Sequence, residues 1–188
     1  MFGALSNQRK YSTWDPAKTI NIPGLTNNNK TISTVAASGG STGTILAAFV
    51  KVYVEINIDL RGTGTGIAVG VWDNGSNIGT PPNFLGSGAG SWAYNATGSK
   101  VHSGSSAGYG ATFTTGDNIG IMYDGGAGTL EFRLNGTSQG VAYTGVTSGL
   151  YIAASSDATG NAVGCTINCG ATAFVYAVPS GYNSGLFS

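Results

Sequence analysis

His102 is the single histidine of the chain, so any serine or cysteine nucleophile that needs an imidazole base would have to use this ring. It stands in Lys100-Val-His-Ser-Gly104, a polar stretch without the Gly-x-Ser-x-Gly elbow of a hydrolase, and reads as a surface histidine. The two cysteines, Cys165 and Cys169, have no further Cys with which to build a zinc cluster. At this spacing on one strand they lie ~13 Å apart on the same face, beyond the ~7 Å that a disulfide spans, and they read as buried apolar thiols. Glu55 and Asp59 also share a strand face. Paired carboxylates can flank a glycosidic bond, but this face is the polar one of an amphipathic strand, and a solvated pair is the simpler reading. Calcium would have to draw on carbonyls and on Asp73, Asp124 or Asp157, none of which sits in a dense acidic loop. Gly62-Thr-Gly-Thr-Gly66 lacks the Lys-Ser/Thr and the following helix of a phosphate-binding loop, and reads as a hairpin turn. No catalytic residue, metal or cofactor is expected.

The chemistry that remains is aromatic. Trp72, Phe84, Trp92 and Tyr94 lie in or beside Gly-, Ser- and Asn-rich segments. Rings next to Asp73 and Asn74 are what sugar binding uses, with C–H faces on the rings and hydroxyls on the amides and carboxylates. Trp72, Asp73, Asn74, Trp92 and Tyr94 are therefore the candidate binding residues. The same rings can instead plug the open end of a sandwich, and both readings stand at this point.

The elements that must position these residues are strands. Val52, Val54, Ile56, Ile58 and Leu60 alternate with Tyr53, Glu55, Asn57, Asp59 and Arg61, a period of two that marks a half-buried strand. Further strands are expected at Ile67–Val71, Asn118–Tyr123, Thr129–Leu134, Gly140–Tyr143, Leu150–Ala154, Val163–Cys169 and Phe174–Tyr176. Asp124-Gly-Gly-Ala-Gly128 and Asn135-Gly136 supply the φ > 0 residues that tight hairpins need. Asp73 to Tyr109 reads as one long irregular stretch. No segment combines helical spacing with caps. Many short strands separated by turn signals predict an all-β, antiparallel two-sheet sandwich in a single domain. We expect an N-terminal arm over 1–12, the sandwich over 13–182 and a tail over 183–188. The arm either docks on something else or is a frayed terminus.

Composition narrows the partners. Of 188 residues only 9% are charged, against roughly 25% in an average domain. The eight Lys and Arg are balanced by eight Asp and Glu, and the only adjacent basic pair is Arg9-Lys10. Nucleic acid, which is held by clustered cations, is not an expected partner, and neither is a membrane surface. No apolar run approaches the ~20 residues of a spanning helix, and Met1 to Lys10 has no pattern of a secretory signal.

From Lys51 onward the order of motifs resembles that of SPRY domains. Lys51-Val-Tyr-Val-Glu55 is similar to their opening strand, Ile67-Ala-Val-Gly-Val71 to the next, and Ser91-Trp-Ala-Tyr94 to their "SWGY". Gly108-Tyr-Gly110, Gly116-Asp-Asn-Ile-Gly120, Thr129-Leu-Glu-Phe132 with Asn135-Gly136, and Ile167-Asn-Cys-Gly170 with Phe174 and Pro179 follow in the family's order. Cys169 replaces the usual aromatic of the last motif, a change in the core. Upstream, Trp14-Asp-Pro16 and Ile22 to Thr34 resemble the lead-in strands of SPRY modules in bacteriophage virion proteins.

The resemblance implies a bent concanavalin-like sandwich without catalytic residues that binds proteins or peptides through loops at one end. The phage-like versions occur on exposed virion parts, and the neutral Gly/Thr/Asn-rich composition suits a particle surface. The expectation is therefore a non-enzymatic virion structural protein, a head decoration or tail-fibre component. It would contact other virion proteins in many copies on a symmetric particle. Phe2, Arg9, Lys10, Leu186 and Phe187 are its candidate anchors, as apolar ends exposed for docking. The alternative is a module that binds a host receptor or surface glycan.

Overall fold

A chain so rich in β-branched and small residues has little to hold a helix together. In the computed structural model a single 3₁₀ turn, Pro16–Lys18, is the one helical element among the described residues, which are 9–22, 24–33, 41–48, 50–76, 78, 84–147, 149–156 and 162–188. The strands in chain order begin with β1 (Leu25–Thr26), β2 (Thr31–Ser33), β3 (Ser41–Ala48), β4 (Val52–Leu60) and β5 (Ile67–Trp72). Next come β6 (Ser91–Asn95), β7 (Ser99–His102), β8 (Ser105–Gly108), β9 (Asn118–Asp124) and β10 (Thr129–Leu134). The last are β11 (Thr137–Thr144), β12 (Leu150–Ser156), β13 (Gly164–Asn168) and β14 (Asn183–Ser184).

Two sheets form. One runs β1-β2-β13-β4-β9-β10-β11, with β14 added in parallel to β4, and the other runs β3-β12-β5-β6-β7-β8. All other pairings are antiparallel. The core lies between the sheets, where Val54, Ile56 and Ile58 of β4 meet Val69 and Val71 of β5, Ile121 of β9 and Phe132 of β10. Each strand turns alternate side chains toward this core, and β5, β6 and β9 are buried on their outer faces as well.

The hairpins form where the turn residues called for them. β9 and β10 pair Asp124 with Thr129, and β10 and β11 pair Leu134 with Thr137 around Asn135 and Gly136, both at positive φ. Asn135 reaches back as well. Its side-chain N–H donates to Asp117 and its amide oxygen accepts the N–H of Asn118, at 2.8 and 2.9 Å.

Several expectations are corrected. Gly62–Gly66 is not a hairpin. β4 pairs with β9 and β13 while β5 pairs with β6 and β12, so the glycine loop carries the chain from one sheet to the other, held by the Arg61 guanidinium on the carbonyls of Gly62 and Gly64. The stretch from Asp73 to Tyr109 is not irregular throughout, since it contains β6, β7 and β8. These escape a period-two reading because β6 is buried on both faces and β8 consists of small exposed residues. β3 carries no alternation either. Phe174–Tyr176 is not a strand: it crosses the outer face of β4. There it covers Glu55, which is 1% exposed instead of solvated. Asp59 at the far end of the same face is exposed, hydrogen-bonded to Asn57 and Thr166.

A second apolar layer covers the outer face of the six-stranded sheet. Ala68, Trp72, Ala93, Val101 and Ala153 pack there with Ile78 and Leu85 from the β5–β6 connection. Cys165 and Cys169 are free and buried. Of the arm expected over 1–12, residues 1–8 lie outside the described residues, and residues 9–12 pair with the tail over 183–188. The Lys10 and Ser188 backbones exchange hydrogen bonds, Ser12 N–H donates to Leu186 O, and Leu186 is buried. The pairing gains main-chain bonds that separate termini would leave to water.

Candidate functional site

Trp72 ends β5 opposite Ser91, Trp92 pairs with His102, and His102 pairs with Ser105. The two ends of the β5–β6 connection and the turn that joins β7 to β8 therefore gather at one end of the six-stranded sheet. Asp73 organises the first of them. Its carboxylate accepts the N–H groups of Gly75 and Ser76 at 2.8 and 3.0 Å, an Asx turn, and Asn74 takes a left-handed φ of 63°. The Trp72 indole N–H donates to Ser76 O at 2.7 Å.

The loops are tied to each other. Asp73 N–H donates to Gly90 O, and Gly90 N–H to Ser76 Oγ. Gly104 N–H donates to Gly86 O, and Gly86 N–H to Ser91 Oγ. Gly86 needs to be glycine, because a Cβ would lie 2.6 Å from the Val101 carbonyl at a φ of +97°. Asp73, Asn74, Gly75, Ala89, Ser103, Gly104 and Ser105 form the exposed crest. The surface is polar and carries the one charge of Asp73.

The aromatic candidates lie beneath this crest. Trp72, Trp92 and Tyr94 are all buried, so the reading that puts their rings on a surface is corrected: they are interior packing. The reason is that Trp92 and Tyr94 belong to β6, whose two faces are both covered. The Tyr94 ring packs on Tyr109, Phe113 and Phe132, and its hydroxyl donates to Ala111 O. Burial, with the nearby Tyr109 and Asp117, pushes its phenol up to about 12. Of the five candidate binding residues, Asp73 and Asn74 remain at the surface.

His102 is not a free surface ring. It stacks on Trp92 with centroids 4.8 Å apart and planes 8° from parallel. Nδ1 faces Ser91 O at 2.9 Å and Nε2 faces Ser103 Oγ at 3.2 Å. A carbonyl only accepts, so Nδ1 carries a proton toward Ser91 O. No carboxylate is among these partners. Glu55 and Asp59 do not act as a pair, since Glu55 spends its oxygens on Tyr53, Val175 and Tyr176. Among the described residues no group of three His, Cys, Asp or Glu is placed to hold a metal ion. No helix there is long and apolar enough to cross a membrane.

The anchoring candidates are drawn together on another side. The Arg9 guanidinium sits 4.4 Å over the Phe187 ring. Tyr11 meets the same ring edge-on at 5.4 Å, and Lys10 pairs with Ser188. Phe2 and Asp157 lie outside the described residues. The loop residues Ser76, Ser103 and Ala89 were not singled out from the sequence. Asp73-Asn-Gly-Ser76 carried a signal for them, since an Asp two and three places before free N–H groups favours a fixed turn.

Comparison with known proteins places this geometry. A family model described as the SPRY domain matches residues 51–173. Ran-binding protein 9 of Xenopus tropicalis is 30% identical over 186 residues, covering 93% of this chain and 33% of that protein. Ran-binding protein 10 of Danio rerio is 31% identical over 151 residues, covering 74% and 24%. The chain thus spans a third or less of these relatives' length. Among solved structures, the SPRY domain of human HERC1 superposes with a TM-score of 0.71 at 21% identity, covering 82% of this chain and 96% of that one. A human SPRY domain gives 0.66 at 20% identity, covering 82% and 99%. These likenesses carry the fold. The relatives are proteins of frog, fish, mouse and human, which overturns the expected virion location and lends no support to the expected phage type. A neutral Gly/Thr/Asn-rich surface reflects a sheet-and-turn architecture, and composition of that kind does not encode location.

Proposed function

Because the chain belongs to the SPRY domain family, we propose that it is a non-enzymatic module that binds another protein. We place the docking surface on the loop end formed by residues 73–76, 86–90 and 103–105. One observation carries this reading: the two ends of the β5–β6 connection and the β7–β8 turn are tied together by main-chain bonds and by serine hydroxyls while their crest stays exposed. Such a surface loses little conformational entropy when a partner docks. Rigid scaffolds that present loops in this way are common binding devices. The crest offers exposed backbone groups and short polar side chains, which suit hydrogen bonding to a peptide. Glycan binding is less well supported, because the rings it would need lie in the interior.

The test is selection of peptides from a random display library on the immobilised chain, followed by affinity measurement on variants. Ran, by the name of the relatives, belongs in the same panel. Ala89→Arg and Ser105→Trp, at exposed positions without a positive φ, should each weaken the selected peptides at least tenfold with an unchanged melting temperature. Selected peptides that bind both variants as tightly as the parent chain would remove the loop end from consideration.

A further inference from the structure

A second surface lies away from these loops, on the side of the sandwich where β3 ends and the terminal segments pair. Two adjoining hollows open there. One, of about 90 Å³, is lined by Tyr11 and Leu46 with Lys10 at its rim. The other, of about 190 Å³, is lined by Ala47, Val50, Val52, Leu186 and Phe187. They are neighbours in the fold, since Leu46 and Ala47 are consecutive and Tyr11 bridges Phe187. Val50 is 58% exposed at this spot, an apolar side chain left to water.

Size and charge decide what fits. Small-molecule pockets run from roughly 300 Å³ upward, so the larger hollow is too small for a drug-sized ligand but takes one apolar side chain as an anchor. The rim is basic. Arg9 is held over Phe187, and Lys10 lines the smaller hollow. Neither Arg9 nor Lys10 forms an ion pair among the described residues, and no acidic side chain lines either hollow, so the rim carries two cations against the main-chain carboxylate of the last residue, Ser188.

We propose that this groove docks an extended segment of a partner protein in which one large aliphatic residue is flanked by aspartates or glutamates. The aliphatic side chain enters the hollow beside Val50 and Leu186. The flanking carboxylates pair with Arg9 and Lys10, the guanidinium already oriented by the Phe187 ring. The inference is independent of the loop-end reading, since the two surfaces share no residue.

The test uses the full chain and three synthetic peptides with one central leucine, flanked by glutamates, by serines or by lysines. Fluorescence polarisation gives the affinity, and sedimentation gives the association state. The glutamate peptide should bind at least tenfold more tightly than the serine peptide, and the lysine peptide should not bind. The double substitution Arg9→Glu with Lys10→Glu should abolish that preference. Val50→Asp should weaken the glutamate peptide at least tenfold while the circular dichroism spectrum is unchanged, and Ala89→Arg at the loop end should leave it alone. Equal binding of all three peptides, no binding of any, or indifference to both sets of substitutions would overturn the proposal. Self-association that Val50→Asp abolishes, without peptide binding, would also overturn it by assigning the groove to a second copy of the chain.

Discussion

Glu55 Oε1 accepts the backbone N–H of Tyr176 at 2.9 Å, joining two residues 121 positions apart. The same carboxylate takes the Val175 N–H at 2.8 Å and the Tyr53 hydroxyl at 3.0 Å. A charge on the nominally polar face of β4 is thereby roofed over by the 174–176 crossing, and Tyr53 is buried with it, edge-on to Phe174. A buried carboxylate is tolerated only when its oxygens are occupied in this way.

Glu55→Gln should therefore destabilise the chain. Glutamine keeps one acceptor but turns an NH₂ group toward peptide N–H groups, and hydrogen bonds to a charged group are worth ~1.5–3 kcal/mol. A loss of about 2–3 kcal/mol in urea unfolding is expected. A loss below about 0.5 kcal/mol, the range of an ordinary surface change, would mean that the crossing is held by something else.

Two glycines of similar sequence context should behave in opposite ways. A Cβ on Gly70 would sit 1.9 Å from the Trp92 carbonyl oxygen, whereas one on Gly108 meets nothing within 4 Å. Gly70→Ala should cost at least about 3 kcal/mol or prevent folding, because β5 and β6 cannot separate without breaking their ladder. Gly108→Ala should be neutral, or stabilising by up to about 1 kcal/mol. Equal melting temperatures for the two variants would contradict the packing at β5–β6.

Alkaline unfolding should be coupled to tyrosine ionisation. Burial, with neighbouring acidic groups and phenols, pushes Tyr94 up to about 12 from an ordinary 10.0. Burial does the same to Tyr123, with Asp124 adding to it, again to about 12. A folded-state value above the unfolded one favours the neutral phenol in the native chain. That stability is fully present below pH 10 and is lost as pH rises through about 12. Tyrosinate absorbance and circular dichroism should change together across that window. Ionisation of these phenols near pH 10.0 with the fold intact would refute their burial.

Both thiols should be silent in the native state. Burial raises Cys165 strongly, with Asp59 adding to it, and raises Cys169 against a small opposing effect of Lys30. Only the thiolate reacts readily. A disulfide reagent at pH 8 should label neither cysteine until denaturant is added, and then both. Labelling of native Cys169 at the rate of a free thiol would show that the terminal pairing around Leu186 opens.

What the sequence by itself determined were the features whose cause is local. The alternation of Val52 to Ile58 fixed β4 and its inward face, because side-chain direction on a strand depends only on parity. Asn135-Gly136 fixed a hairpin, because its φ values are intrinsic to those residues. The ordered motifs from Lys51 to Pro179 carried the family, since each serves a turn or a ladder of the same sandwich. Other features depended on partners far along the chain, and only the tertiary structure decided them. Parity placed Glu55 on the outer face correctly, but nothing near it in sequence announced the roof at Tyr176. Trp92 and Tyr94 read equally as binding rings or core until β6 was seen to be covered on both faces. Gly62–Gly66 has the composition of a hairpin turn. Its role as a passage between sheets is set by which strands β4 and β5 go on to pair with, and that choice belongs to the global packing. The docking groove beside Val50 has the same origin, because it exists only where the two ends of the chain come together.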